Sequence, residues 1–173
     1  MNKQKEIDKY ILNHIDEEDD ILRELDRETH LNVLGARMIS GHLQGQVLTM
    51  LSKMIQPECI LEIGTFTGYS AICLAKGLRE GGKLITIEID DELENIAKKY
   101  FVKAGLQHQI VQRIGPALEI IPTLNETFDL VFIVEDDYHT RGIIEFNNII
   151  KNDKRVEKVI LPLRDGMTII RKK

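Results

Sequence analysis

Residues 59–75 read CILEIGTFTGYSAICLA, and the reading of this stretch decides the fold. The run 59–64 is short, aliphatic and rich in isoleucine, which suits a strand covered on both faces. Gly64 and Gly68 then give the backbone freedom to turn, and a run of helical period starts at Tyr69. Strand, glycine turn and helix in that order open a βα unit. Inside the apolar run stands Glu62, a carboxylate whose burial is costly unless the fold or a ligand makes use of it.

Outward from this unit the alternation continues. The runs KLITIEI, QIVQRI and FDLVFIV read as strands, and helical periods fill 69–78, 91–104 and 116–124 between them. Strands alternating with helices predict a mostly parallel, doubly wound, Rossmann-like α/β sheet with helices on both faces. Near the end, VEKVILPL and MTIIRKK flank Arg164-Asp165-Gly166. An Asp-Gly pair favours a tight reversal, so a C-terminal antiparallel hairpin is expected there. Upstream, Ile7, Tyr10, Ile11 and Ile15, then Ile21, Leu22 and Leu25, form apolar stripes around the acidic DEEDD. They predict an amphipathic helical preface, with DEEDD as a solvated face. A further helix is expected from an N-cap at Ser40 to just before Pro57.

The chain's 173 residues suit one domain, divided as a helical preface (1–36), cofactor-binding βα units (37–133) and a C-terminal helix and hairpin (134–173). A net charge of −5 argues against a nucleic-acid footprint, which needs clustered Lys and Arg. No apolar run approaches membrane-span length and no signal-peptide pattern opens the chain, so a cytoplasmic protein without membrane partners is expected. Cys59 and Cys73 lack metal-site or redox spacing and read as inert core residues.

Ligands of open α/β sheets bind beyond the carboxyl ends of the strands, where the glycine turn falls. No lysine stands between Ile60 and Ala75, so a triphosphate loop is excluded, and Phe66 stands where a dinucleotide fingerprint carries its second glycine. Glu62 at the end of the first strand suits a ligand with an amino or sulfonium cation, and Glu88 at the end of the second can accept from both ribose hydroxyls. Two such acids on adjacent strands fit a positively charged nucleoside such as S-adenosylmethionine. The plainer role for either acid is to cap a neighbouring helix.

With RMISGHLQGQ, LEIGTFTGYSA, LITIEID, IGPALEIIPTL, FDLVFI, TRGIIEFNNII and LPLRDGMTIIRKK in order, the chain resembles the class I S-adenosylmethionine-dependent O-methyltransferases of the catechol and caffeoyl-CoA type from Arg37 onward. The resemblance implies a methyl transfer to a hydroxyl of a small, aromatic acceptor, and a homodimer. It places Glu62 near the methionine amino group, Gly64, Thr65, Phe66 and Gly68 in the cofactor turn, and Ser70 at the carboxylate end. Glu88 falls at the ribose, Ala117 at the adenine edge, and Met38 and Ser40 in a segment folding over the site. For Met38 a place in the core is the plainer alternative.

The resemblance breaks after Ile133. Family members continue with an aspartate that binds a divalent metal, magnesium being the expected ion; here Val134 takes its place. A strand–helix unit of roughly 30 residues is missing at the same point, and the catalytic residues cannot be assigned. Loss of an interior strand leaves backbone groups unpaired, so further residues are expected here in the natural protein. The alternatives are a true deletion and a replacement metal site built from Glu135, Asp136, Asp137 and His139. A true deletion would favour a module that binds S-adenosylmethionine or S-adenosylhomocysteine without transfer; an NAD-dependent oxidoreductase is the other reading.

Overall fold

The computed structural model describes residues 3–133, 148–163 and 167–173. The chain forms two compact units, Met1–Val134 and Glu135–Lys173, each described by itself.

The first unit is built on four parallel strands: β1 (Cys59–Ile63), β2 (Lys83–Glu88), β3 (Ile110–Ile114) and β4 (Leu130–Ile133), in the order β3-β2-β1-β4. The chain steps outward from β1 to β3 and then returns to the other side of β1, so the order reverses beside β1. Each strand is only four to six residues long. β1 and β2 are almost wholly buried because helices cover both of their faces, which is why they read as unbroken apolar runs.

Alternation along the strands sorts the two faces. Leu61, Ile85 and Ile87 form one, against which α6 (Ala117–Ile120) and the 3-10 turn Ile121–Thr123 pack through Ala117, Ile120 and Ile121. The expected helix at 116–124 is short because Pro122 lies at its middle, where a missing N–H and the ring end regular α-helix. On the other face lie Ile60, Glu62, Leu84, Thr86 and Glu88, covered by α4 (Tyr69–Ala75) and α5 (Glu94–Lys103). α3 (Gly41–Ile55) packs on α4, with Ser52 Oγ donating to the Leu74 carbonyl at 2.6 Å and Thr49 Oγ1 to that of Cys73 at 3.1 Å. Cys59 and Cys73 are buried and free.

The preface is two helices, α1 (Lys3–Leu12) and α2 (Asp20–Asn32). DEEDD separates them and is more than the solvated face expected. Asp19 caps α2 by accepting from the Ile21 N–H at 2.8 Å and pairs with Lys76, while Glu18 accepts from the Tyr69 hydroxyl at 2.6 Å. Three more ties hold α2 against α5: Lys99 and the Tyr100 hydroxyl on Glu28, and Lys103 on Glu24.

β4 stands at one edge of the described sheet. Among the described residues β1 is its one paired neighbour, and Val131 is 50% and Ile133 43% exposed.

In the second unit β5 (Val156–Leu161) and β6 (Met167–Lys172) pair antiparallel, Leu161 opposite Met167 and Val156 opposite Lys172. This is the C-terminal hairpin expected from sequence; its Arg164-Asp165-Gly166 turn lies outside the described residues. No helix among the described residues is long and apolar enough to cross a membrane.

Candidate functional site

Because β1 ends beside the point of strand reversal, the loop that follows it is presented at the carboxyl edge of the sheet. Gly64 has φ +94° and Phe66 φ +49°. A left-handed conformation costs a bulky residue energy and persists only where surroundings enforce it. Here the enforcement is visible: the Phe66 N–H donates to Glu88 Oε2 at 2.7 Å, and the Phe66 ring is buried. Gly68, at φ +93°, begins α4, its N–H donating to the Thr65 carbonyl at 2.9 Å.

Between this loop and the segment 38–40 lies a small, open cleft whose enclosed volume of about 10 Å³ holds roughly one water molecule. Met38, Ile39 and Ser40 form one wall; residues 64–67, Tyr69 and Ser70 form the other. Six of the residues expected from sequence therefore meet here: Met38, Ser40, Gly64, Thr65, Phe66 and Ser70. Ser40 lies at the head of α3, but its side chain makes no capping hydrogen bond. It is nonetheless buried and lines the cleft.

Four expected residues lie outside the cleft lining. Gly68 has no free space where a side chain would sit: a Cβ would come within 2.6 Å of Phe101 Cε1. Its small size makes room for that ring rather than for a ligand. Ala117 starts α6 two residues after Gly115, whose N–H donates to the Glu88 carbonyl at 2.7 Å. Glu88 is 7% exposed, and besides the Phe66 N–H it accepts from the N–H groups of Ile89 and Asp90, at 2.9 and 3.0 Å. The capping role raised as the plainer reading is thus real, although it is the turns after β1 and β2 that Glu88 caps, not a helix.

Glu62 is fully buried. Thr86, its register partner on β2, donates from Oγ1 to Glu62 Oε2 at 2.6 Å, and the Thr86 and Thr65 hydroxyls lie 2.5 Å apart. Glu62 Oε1 has no hydrogen-bond partner. Burial pushes its carboxyl up to about 7; the Ser70 and Thr86 hydroxyls oppose the rise, and the like charge of Glu88 adds to it.

Sequence reasoning missed Ile39, Thr67 and Tyr69 in the lining and Thr86 behind it. Thr86 did leave a signal, a lone hydroxyl two residues before Glu88 in an apolar run; which residue it faces is a matter of register. Thr67 is tied to the preface, its hydroxyl 3.0 Å from that of Thr29, which also donates to the Leu25 carbonyl. The replacement metal site at Glu135, Asp136, Asp137 and His139 lies outside the described residues, as does Val134. Among the described residues no three His, Cys, Asp or Glu side chains come together as an ion would need.

A family model described as O-methyltransferase matches residues 13–140 and 134–173. The two matches meet at the place where the sequence resemblance breaks. The chain is 38% identical over 143 residues to a catechol O-methyltransferase of Niastella koreensis, covering 79% of this chain and 64% of that one. With a caffeoyl-CoA O-methyltransferase of Populus trichocarpa it shares 32% over 162 residues, 83% of this chain and 64% of the relative. It thus spans a little under two thirds of the length of these relatives. Among solved structures it matches the O-methyltransferase of Bacillus cereus in complex with SAH, with a TM-score of 0.86 and 25% identity, over 96% of this chain and 97% of that one.

Proposed function

Because this chain belongs to the O-methyltransferase family, we propose that it binds S-adenosylmethionine in the cleft after β1 and transfers its methyl group to a hydroxyl of a small, aromatic acceptor. The observation that carries the reading is the joint placement of the left-handed loop 64–68, the segment 38–40 and Glu88 at one edge of the sheet. S-adenosylmethionine, when bound, supplies an electrophilic methyl on a sulfonium.

The residues fit this ligand. The unpartnered oxygen of Glu62 offers negative potential behind a cleft that would take a cationic methionyl end. Ser70, at the start of α4, would hold the carboxylate end. Glu88 fixes the loop through Phe66 and, with three of about four acceptor sites taken by backbone N–H groups, retains one on Oε2 for a ribose hydroxyl. Phe66 would wall the sulfonium, Ala117 the adenine, and Met38 and Ser40 would close over the site. What the chain contributes to rate is position: holding donor and acceptor in line removes the entropic part of the barrier.

A divalent ion fits less well. Valine at position 134 has no donor atom, and the described residues hold no ligand cluster. That favours a second reading, a module that binds S-adenosylmethionine or S-adenosylhomocysteine without transferring the methyl. The nicotinamide reading loses its support to the family assignment. We further propose a cytoplasmic homodimer; the dimer is supported by α1, which leaves Ile7, Tyr10 and Leu12 exposed.

Calorimetry tests the cofactor: binding of S-adenosylmethionine and S-adenosylhomocysteine but not NAD is expected, and the reverse would refute the proposal. Incubation with a catechol and S-adenosylmethionine, with and without magnesium, then separates enzyme from module.

A further inference from the structure

We propose that Glu62 acts as a buried, proton-linked countercharge, releasing its proton to solvent as a ligand bearing an ammonium or sulfonium group enters the cleft. The proposal rests on the cofactor reading above and concerns how that site manages charge.

The geometry supplies both an unmet need and a route. Glu62 is fully buried with Oε1 unpartnered, an arrangement that penalises the ionised carboxylate while the site is empty. Its other oxygen is bonded to Thr86 Oγ1 at 2.6 Å, and Thr86 to Thr65 at 2.5 Å. Thr65 lines the cleft, so two hydroxyls join the buried acid to the ligand's space. Either hydroxyl of the Thr65–Thr86 pair can donate. With the acid neutral, the chain runs from Glu62 O–H through Thr86 to Thr65. With it ionised, the chain runs back from Thr65 through Thr86 to the carboxylate. Reversal of the chain breaks the Glu62 O–H bond and passes one proton outward to buffer, and no other reactant is needed.

Among the described residues, the groups facing Glu62 give it no counterion. From β2 come Thr86 and Glu88, the latter a like charge; from α4 come Ser70 and Cys73, whose thiol burial pushes up to about 12; from β4 the register partner is Phe132. None of these carries a positive charge. An entering cation is then the partner that makes the carboxylate favourable, and binding and deprotonation become linked.

The test is titration calorimetry of the whole chain with three probes, at pH 6 and pH 8, in buffers of different ionisation enthalpy. S-adenosylmethionine carries ammonium and sulfonium, S-adenosylhomocysteine the ammonium alone, and 5′-methylthioadenosine neither. An acid titrating near 7 should raise the affinity for S-adenosylmethionine about tenfold between the two pH values, relative to Glu62→Gln, with proton release at pH 6 that the variant lacks. Release with both amino-acid-bearing probes supports the ammonium as the cation; release with S-adenosylmethionine alone supports the sulfonium. Binding without proton release, or equal release with all three, overturns the countercharge and leaves the cofactor reading standing. No binding of any probe by the wild-type protein overturns both. If Glu62→Gln does not fold, the wild-type buffer series still decides the matter.

Discussion

Replacing Gly68 by alanine should be among the most damaging single-methyl additions to this protein, and the structure separates its cost into two parts. The first is local: φ is +93° at this position, and an L side chain in the left-handed region costs about 1–2 kcal/mol. The second is a collision: the added Cβ would sit 2.6 Å from Phe101 Cε1 and 3.0 Å from Cζ, against an ordinary 3.5 Å from Ala97 Cβ. Phe101 is buried in the core and cannot swing into solvent, so overpacking there should cost about 1–3 kcal/mol. Gly68→Ala should therefore lose about 2–5 kcal/mol, measured by urea unfolding of the wild-type protein and the variant. Phe101→Leu removes the two colliding ring carbons. In that background the alanine should cost only the backbone part, about 1–2 kcal/mol, and the double-mutant cycle should show a coupling of about 1–3 kcal/mol. Equal costs in both backgrounds would refute the claim that Gly68 makes room for the ring.

Other outcomes follow from the same geometry. The folded state holds the Glu62 proton up to about 7 against an ordinary value of 4.5; the unfolded chain loses it earlier, so stability should fall as pH rises through that window, by about 3 kcal/mol in full. Urea unfolding of Glu62→Gln at pH 5 and pH 8 should show that slope flattened, and an unchanged slope would assign it to other groups. Glu88→Ala strips three backbone N–H groups of their acceptor and should cost about 3 kcal/mol of stability together with at least a tenfold loss of nucleoside affinity by calorimetry. Full affinity in that variant would remove Glu88 from the site. Tyr100→Phe deletes a buried hydroxyl that donates to the Glu28 carboxylate at 2.7 Å, about 1.5–3 kcal/mol for a hydrogen bond to a charge. Lys99→Ala, which breaks a half-exposed ion pair with the same carboxylate, should cost under about 1 kcal/mol. Thermal unfolding of the two variants should rank them in that order.

What the sequence determined was periodic and local. Isoleucine-rich runs of strand length, helical stripes between them, and glycines before Tyr69 are visible residue by residue, because strand and helix periods and backbone freedom depend on near neighbours. They were enough to place β1 to β4, the C-terminal hairpin and the loop 64–68, and to mark Glu62 and Glu88 as acids at strand ends. The sequence left open what each of those residues touches. Thr86 became the partner of Glu62 only when β2 lay parallel to β1 in a register that set them opposite. Gly68 read as a turn residue, and only the fold shows that its missing side chain makes room for Phe101 of α5. Ser40 read as a cap until α3 packed with this residue lining the cleft, and DEEDD read as solvated until α2 brought Glu18 to Tyr69 and Asp19 to Lys76. In each case the deciding contact joins residues far apart in the chain. Its energy comes from desolvation and packing, which exist only once the sheet and its helices have come together.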